Sequence, residues 1–93
     1  MLITVTNASQ SLHALVTTAY DKATADKIGV NAMVVLKNGD TNSVFVANKR
    51  AATAADGLPV AKNEAISVTV TDPKQFNLIA GVAAQPVYLE IFP

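Results

Sequence analysis

"AADGLPVAKNEAISVTV", residues 54–70, is the stretch of sequence that decides the fold. After a Gly-Leu-Pro turn and a short charged corner, its last residues alternate between apolar side chains and small or hydroxyl-bearing ones. Ile66, Val68 and Val70 would share one face of a strand, because successive side chains of a strand point to opposite sides. The alternation predicts a β-strand with one buried face, and the stretch holds no group suited to catalysis.

The same alternation recurs on both sides of this stretch. Turn signals separate the segments at Asn38-Gly39, whose residues tolerate positive φ, and at Asp72-Pro73. Short strands with turns every 8–12 residues or so are typical of an antiparallel sandwich or a small barrel. The predicted strands are residues 2–6, 32–37, 43–48, 65–71, 77–82 and 86–92.

One helix is predicted near the start of the chain. Apolar residues at helical spacing indicate a helix over about residues 9–19. Asn7 or Ser9 can cap it, because either side chain can accept a hydrogen bond from an unpaired backbone N–H. Residues 21–31 are polar and are predicted to cross the surface, with a short Ala-rich helix as the alternative for part of them.

These elements give a fold class that is mainly β. We expect an antiparallel β-sandwich or small barrel of about six strands with one short N-terminal helix. A chain of 93 residues is predicted to form one domain. Its N-terminal strand and helix would occupy residues 1–30, and its β core residues 31–93.

The composition points to contact with other proteins. Charged residues are 15% of the chain and hydrophobic residues 51%, whereas an ordinary soluble domain has about 25% charged residues. A small domain exposes much of its surface, so part of this apolar surface is expected to face a neighbour. Seven basic and seven acidic residues cancel, which argues against nucleic acid as a partner. No apolar run approaches the length of a membrane span.

Groups for catalysis or metal binding are sparse. His13 is the single histidine and there is no cysteine, so the usual zinc ligand sets are excluded. The two glutamates, Glu64 and Glu90, have no partner in the sequence that would shift a pKa. The four glycines are scattered and form no phosphate-binding loop. We therefore expect neither an enzyme, nor a cofactor, nor a metal site.

The last strand places aromatic side chains on an unexpected face. Val87, Leu89 and Ile91 form one apolar face, so Tyr88 and Phe92 fall on the other, beside a glutamate. One interpretation is a strand that the domain itself covers on both faces. The other is a contact surface, because Tyr and Phe are enriched in the cores of protein interfaces.

From about residue 31 onward, the order of features resembles that of small β-sandwich virion proteins of tailed bacteriophages, of the head decoration or cement type. Val60 and Asn63 depart from the pattern, which has Leu and Gly at these places. The segments that carry the resemblance are "VVLKNG" (34–39), "VFVAN" (44–48), "AADGLPV" (54–60), "KNEAISVTV" (62–70), "DPKQFNLIAGVA" (72–83) and "PVYLEIF" (86–92).

The resemblance implies a structural protein of a tailed-phage virion. Such a protein would decorate and cement the capsid by binding between major capsid subunits, and would self-associate as a trimer or another small oligomer. It would be made in the host cytoplasm and reside on the capsid surface. The alternatives are another virion part, at the head–tail junction or fibre base, and a ligand- or carbohydrate-binding β module.

On this hypothesis, a small set of residues forms the interface with capsid subunits. Aromatic side chains would serve as anchors, and the loop 49–58 and the N-terminal segment 1–6 would make peripheral contacts, the latter by adding an edge strand to a neighbour. The predicted interface residues are Tyr88, Phe92, Phe45, Leu2, Lys49, Arg50 and Leu58.

Overall fold

The strands are the main regular elements of the structure, a computed structural model that describes residues 1–92. The strands are β1 (Leu2–Val5), β2 (Gln10–Ser11), β3 (Ala32–Asn38), β4 (Val44–Asn48), β5 (Leu58–Val60), β6 (Ala65–Val70), β7 (Phe76–Ala80) and β8 (Gln85–Phe92). The helices are α1 (Leu12–Ala19) and α2 (Lys22–Asp26).

The strands form two antiparallel sheets. The first sheet has the order β1-β8-β3-β6 and the second has the order β2-β7-β4-β5. The prediction of a mainly β fold is confirmed, and the two sheets correspond to the sandwich rather than to a closed barrel. The side chains of both sheets that point inward join those of α1 in one apolar cluster. Burial of this cluster is the principal force that holds the two layers together.

The predicted count of about six strands and one helix is wrong, because the structure has eight strands and two helices. The additional strands β2 and β5 span two and three residues, and alternation cannot be recognised over so short a length. Residues 22–26 form α2, so the alternative of a short helix within the polar segment is the correct one. Asp21 caps this helix by accepting a hydrogen bond from the Thr24 amide at 2.7 Å.

The start of α1 also differs from the prediction. The N-cap is Ser11, whose hydroxyl accepts a hydrogen bond from the amide of Ala14 at 3.0 Å. Neither Asn7 nor Ser9 caps the helix. The hydroxyl of Ser9 instead accepts from the amide of Ala52 at 2.9 Å, which ties the chain before the helix to a distant loop. The helix begins later than predicted because residues 10–11 pair with β7 first.

The stretch 54–70 folds as its sequence predicts at its C-terminal end. In β6 the residues Ala65, Ser67 and Thr69 are exposed, whereas the intervening apolar residues turn toward the core. The corner before the strand depends on Asn63, whose φ is 60°. The Asn63 amide donates to the carbonyl of Asn38 at 3.0 Å, and the Asn38 amide donates to the carbonyl of Glu64 at 3.1 Å. Asn63 and Glu64 thus both lie opposite Asn38, which makes a β-bulge. Bulges of this kind favour Gly or Asn at the residue in the left-handed region.

Asn38 joins the two sheets. It is fully buried at the end of β3 in the first sheet, and its side-chain amide donates to the carbonyls of Asn42 at 2.7 Å and Val60 at 2.9 Å. Val60 belongs to the second sheet, so one side chain crosses between the layers. The turn residue Gly39 has no positive φ, so its tolerance of that region is not used. A Cβ atom there would lie 2.5 Å from the ring of Tyr88, so glycine lets this ring pack over the turn.

Candidate interaction surface

The outer face of the first sheet is uncovered and apolar. Leu2 is 46% exposed, Met33 45%, Tyr88 52% and Phe92 48%. In the sheet register, Leu2 lies opposite Tyr88 and Met33 lies opposite Phe92. The face therefore carries two pairs of large apolar side chains, with Glu90 between them along β8. Exposed apolar side chains grouped on one face mark interaction sites. We call this surface the bare face; it consists of Leu2, Met33, Val35, Lys37, Ala65, Ser67, Thr69, Tyr88, Glu90 and Phe92.

The charge of the bare face is low and balanced. Lys37 lies opposite Tyr88, and Glu90 lies opposite Val35. The neighbouring outward residues on β6 are small: Ala65 pairs with Lys37, and Ser67 pairs with Val35. A surface with one cation, one anion and several large apolar side chains costs little to desolvate, which suits it to a protein partner.

The bare face decides between the two interpretations of the last strand. Tyr88 and Phe92 point away from the core and about half of each side chain is exposed, so the interpretation that the domain covers β8 on both faces is wrong. Tyr88 also has a defined position. Its ring packs over Gly39, where the Cβ atom of any larger residue would collide with it, and it lies beside Leu2.

The outer face of the second sheet is covered, in contrast. Phe45 points outward from β4 but is half-buried, because Gly57 and Gly81 approach it closely. The loop 49–57, here called the covering loop, lies against this face. The carbonyl of Arg50 accepts a hydrogen bond from the side-chain amide of Asn77 at 2.7 Å, which fixes the start of the loop to β7.

The covering loop is closed by its own polar contacts. Arg50 donates to the carboxylate of Asp56 at 2.8 Å and to its carbonyl at 3.0 Å. Hydrogen bonds from the Thr53 hydroxyl and next from Arg50 hold the pKa of Asp56 below its ordinary value. Ala52, in the middle of the loop, is buried. Arg50, predicted as an interface residue, thus has an intramolecular partner.

Lys49 and Leu58 occupy the two ends of the covering loop. Lys49 has a φ of 61°, and its amide donates to the carbonyl of Gln75 at 2.8 Å. Leu58 is 55% exposed and lies at the mouth of a groove of about 510 Å³ between β5 and β6. Val46 and Val68 contribute to the lining of that groove.

The predicted interface residues therefore fall into two groups. Leu2, Tyr88 and Phe92 meet on the bare face, whereas Phe45, Lys49, Arg50 and Leu58 belong to the second sheet or its loop. The sequence prediction did not include the other seven residues of the bare face, among them the apolar Met33 and Val35. Residues 32–36 are all apolar, so the sequence does not distinguish Met33 and Val35 from the buried Ala32, Val34 and Leu36.

His13 on α1 contacts a carboxylate on α2. The ring Nε2 of His13 lies 2.7 Å from Oδ1 of Asp26, and the Lys22 ammonium lies 2.6 Å from Oδ2 of the same carboxylate. Hydrogen bonds from Lys22 and then from His13 lower the pKa of Asp26 to about 2. The cluster fastens α2 to α1. Within residues 1–92, the hydrogen bonds of the His13 ring lead to Asp26 and to no hydroxyl nucleophile.

Residues 1–92 do not bring together three His, Cys, Asp or Glu side chains as a metal site requires. Neither helix in the described part of the chain has the length and hydropathy of a membrane span. Comparisons of the chain with protein-family models, with curated proteins and with solved structures find no match. The geometry of the bare face is consequently the main basis for assigning a function.

Proposed function

We propose that this chain is a structural subunit of a tailed-phage virion, which decorates the capsid and cements it by docking between major capsid subunits. One observation carries the proposal: the bare face holds Leu2, Met33, Tyr88 and Phe92 together, each about half exposed. The resemblance in sequence order from residue 31 onward supports the choice of a virion. The low charge of the chain, 15% of residues, supports contact with other protein subunits.

The proposed mechanism is passive docking. Burial of apolar surface stabilises a complex by about 25 cal/mol per Å², from which the costs of ordering and association are subtracted. A flat sheet face complements another flat protein surface, and Tyr88 and Phe92 supply the rigid aromatic anchors that dominate such interfaces. Lys37 and Glu90 flank the anchors and would fix the orientation of the partner. Repetition of the contact over a capsid lattice would then slow dissociation.

The bare face is a better candidate for the docking site than the second sheet. Phe45 is half-buried under the covering loop, so part of its apolar surface is already used within the chain. Arg50 is likewise engaged with Asp56. The peripheral role predicted for the segment 1–6 is also restricted, because the Tyr20 hydroxyl accepts a hydrogen bond from the Leu2 amide at the outer edge of β1. Leu2 would contribute its side chain rather than its backbone.

The test uses shells of the major capsid protein encoded in the same genome. The wild-type chain should sediment with assembled shells and raise the temperature at which they disassemble. The double variant Tyr88→Ser, Phe92→Ser should fold but lose about 10²-fold or more in affinity, because two anchors are removed. Thr18→Ser, an exposed change on α1 and therefore off the bare face, is the control and should bind as wild type. Failure of the wild type to bind shells, or unchanged heat resistance of decorated shells, would overturn the proposal.

A further inference from the structure

The four edge strands of the two sheets are protected to different degrees. At the edge of β1, the amide of Leu2 donates to the Tyr20 hydroxyl at 2.8 Å, and α1 packs alongside. β2 has two residues. β5 has three residues and contains Pro59. Proline has no backbone N–H to donate, and on edge strands it commonly prevents pairing with another chain. Among the described strands at an edge, β6 alone has six residues without proline or charge.

The free hydrogen-bonding groups of β6 can be assigned from the ladder. The amide of Asn38 donates to the carbonyl of Glu64, at the start of the pairing between β3 and β6. Hydrogen-bonded pairs alternate along an antiparallel ladder, so residues 66, 68 and 70 direct their backbone groups to β3. The residues whose N–H and C=O groups point away from β3, toward the free edge, are Ala65, Ser67 and Thr69.

We propose that β6 pairs with β6 of a second copy of this chain, antiparallel about a two-fold axis at Ser67. This register is self-complementary. Ser67 lies opposite Ser67 of the second copy and Ala65 opposite its Thr69, so the free backbone groups form about six hydrogen bonds. Apolar Ile66 then lies opposite Val68, on the core side of both sheets. The two first sheets become one continuous sheet of eight strands.

The groove beside β6 also favours a second copy as the occupant of this edge. It is lined by Val46, Leu58 and Val68, and Leu58 is 55% exposed at its mouth. In the dimer, Ile66 and Val68 of the second copy lie along that mouth and exclude water from it.

The dimer deepens the self-association in the proposed function and does not rest on the capsid as partner. The test introduces charges at Ser67, which is exposed and lies opposite Ser67 of the second copy across the two-fold axis. Ser67→Lys and Ser67→Glu should each raise the dimer dissociation constant about fivefold or more, because like charges directly opposite repel. A one-to-one mixture of the two variants should recover the wild-type constant, because Lys then faces Glu. Sedimentation equilibrium over a range of concentrations measures all four samples, and thermal melting verifies that each variant is folded.

A second measurement fixes the register. The chain contains no cysteine, and Cα atoms of a hydrogen-bonded antiparallel pair lie about 5.5 Å apart, within the range of a disulfide. Ser67→Cys should form a covalent dimer on mild oxidation, whereas Thr4→Cys on β1 of the same sheet should not.

Several results would overturn the dimer. One is a wild-type chain that stays monomeric at about 1 mM, a concentration at which even weak association is visible. The others are an oligomer with an odd number of subunits and variants at Ser67 that associate as tightly as the wild type. The same holds if the charge variants weaken association and their mixture does not restore it. A dimer that ignores capsid shells would contradict the proposed function alone, and a monomer that binds them would contradict the dimer alone.

Discussion

Aromatic side chains on the outer faces of the two sheets differ in how far they are exposed. On the second sheet, the covering loop lies over the face, and Phe45 is half-buried between Gly57 and Gly81. On the first sheet, Tyr88 and Phe92 remain about half exposed. Covered aromatic surface contributes to the stability of the chain itself, whereas exposed aromatic surface is available to a partner. The difference indicates where the chain uses its apolar area for folding and where it keeps that area for binding.

The largest expected effect comes from removing one phenyl ring on each face. Phe45→Ala should lower the free energy of unfolding by about 2 kcal/mol, because the ring is held between the sheet and its neighbours. Phe92→Ala should cost less than about 1 kcal/mol, because water already contacts half of that ring. Urea denaturation of both variants measures the two values. Equal losses would contradict the distinction between a covered and a bare face.

Replacing a glycine by alanine on each face also tests whether the second sheet is packed more tightly than the bare face. Gly57→Ala would place Cβ 2.6 Å from the carbonyl oxygen of Thr53 and 2.8 Å from Cβ of Phe45. Neither atom can move without the backbone, so we expect a loss of about 1–3 kcal/mol.

Gly39→Ala is the matched change on the bare face. Its Cβ would meet the ring of Tyr88 at 2.5 Å, but that ring can turn into open space, so the expected loss is below about 1 kcal/mol. Chemical denaturation gives the two stabilities, and the aromatic NMR signals of Tyr88 should shift in Gly39→Ala. A stable Gly57→Ala variant would show that the covering loop is not packed as described.

The smallest expected effect is on the melting temperature at acid pH. The pKa of Asp56 is lowered in the folded chain by Thr53 and then by Arg50, so its ionised form favours the folded state. That contribution is present above the ordinary pKa of 3.8 and is lost as the pH falls through the lower value of the folded state. Asp56→Asn should therefore flatten the decline of the melting temperature below about pH 4. Glu90→Gln on the bare face is the control, and an equal flattening there would contradict a specific role for the loop.

Much of the fold could be predicted because alternation is a local signal. Strand β6 shows it over six residues, whereas β3 is an apolar run that ends at the turn signal Asn38-Gly39; the structure places both within one or two residues of their predicted bounds. The brief strands β2 and β5 carry no such signal. Pro59 favoured the prediction of a turn at Gly57-Leu58-Pro59, although a strand at the edge of a sheet tolerates proline. The left-handed conformation of Asn63 was not predicted; Asn tolerates that region, as does the glycine that stands there in the resembling pattern.

The candidate surface was predictable in part, for the same reason. Alternation alone puts Tyr88 and Phe92 on one face of β8, whereas the continuous apolar run of β3 does not show that Met33 faces outward. The position of Phe45 could not be inferred in this way. Its burial depends on the path of the covering loop, which is set by distant contacts such as that between Arg50 and Asn77. Sequence patterns report which face of a strand a residue occupies, but not what lies over that face.

The buried side-chain amide of Asn38 has a consequence for how the chain opens. Its hydrogen bonds reach the turn at Asn42, the second sheet at Val60 and the bulge at Asn63. Separation of the layers would leave these polar groups without partners in an apolar interior, so partial opening is expensive. The amide protons of Asn38 should accordingly exchange with solvent deuterium only through global unfolding, at rates that report the full stability of the chain.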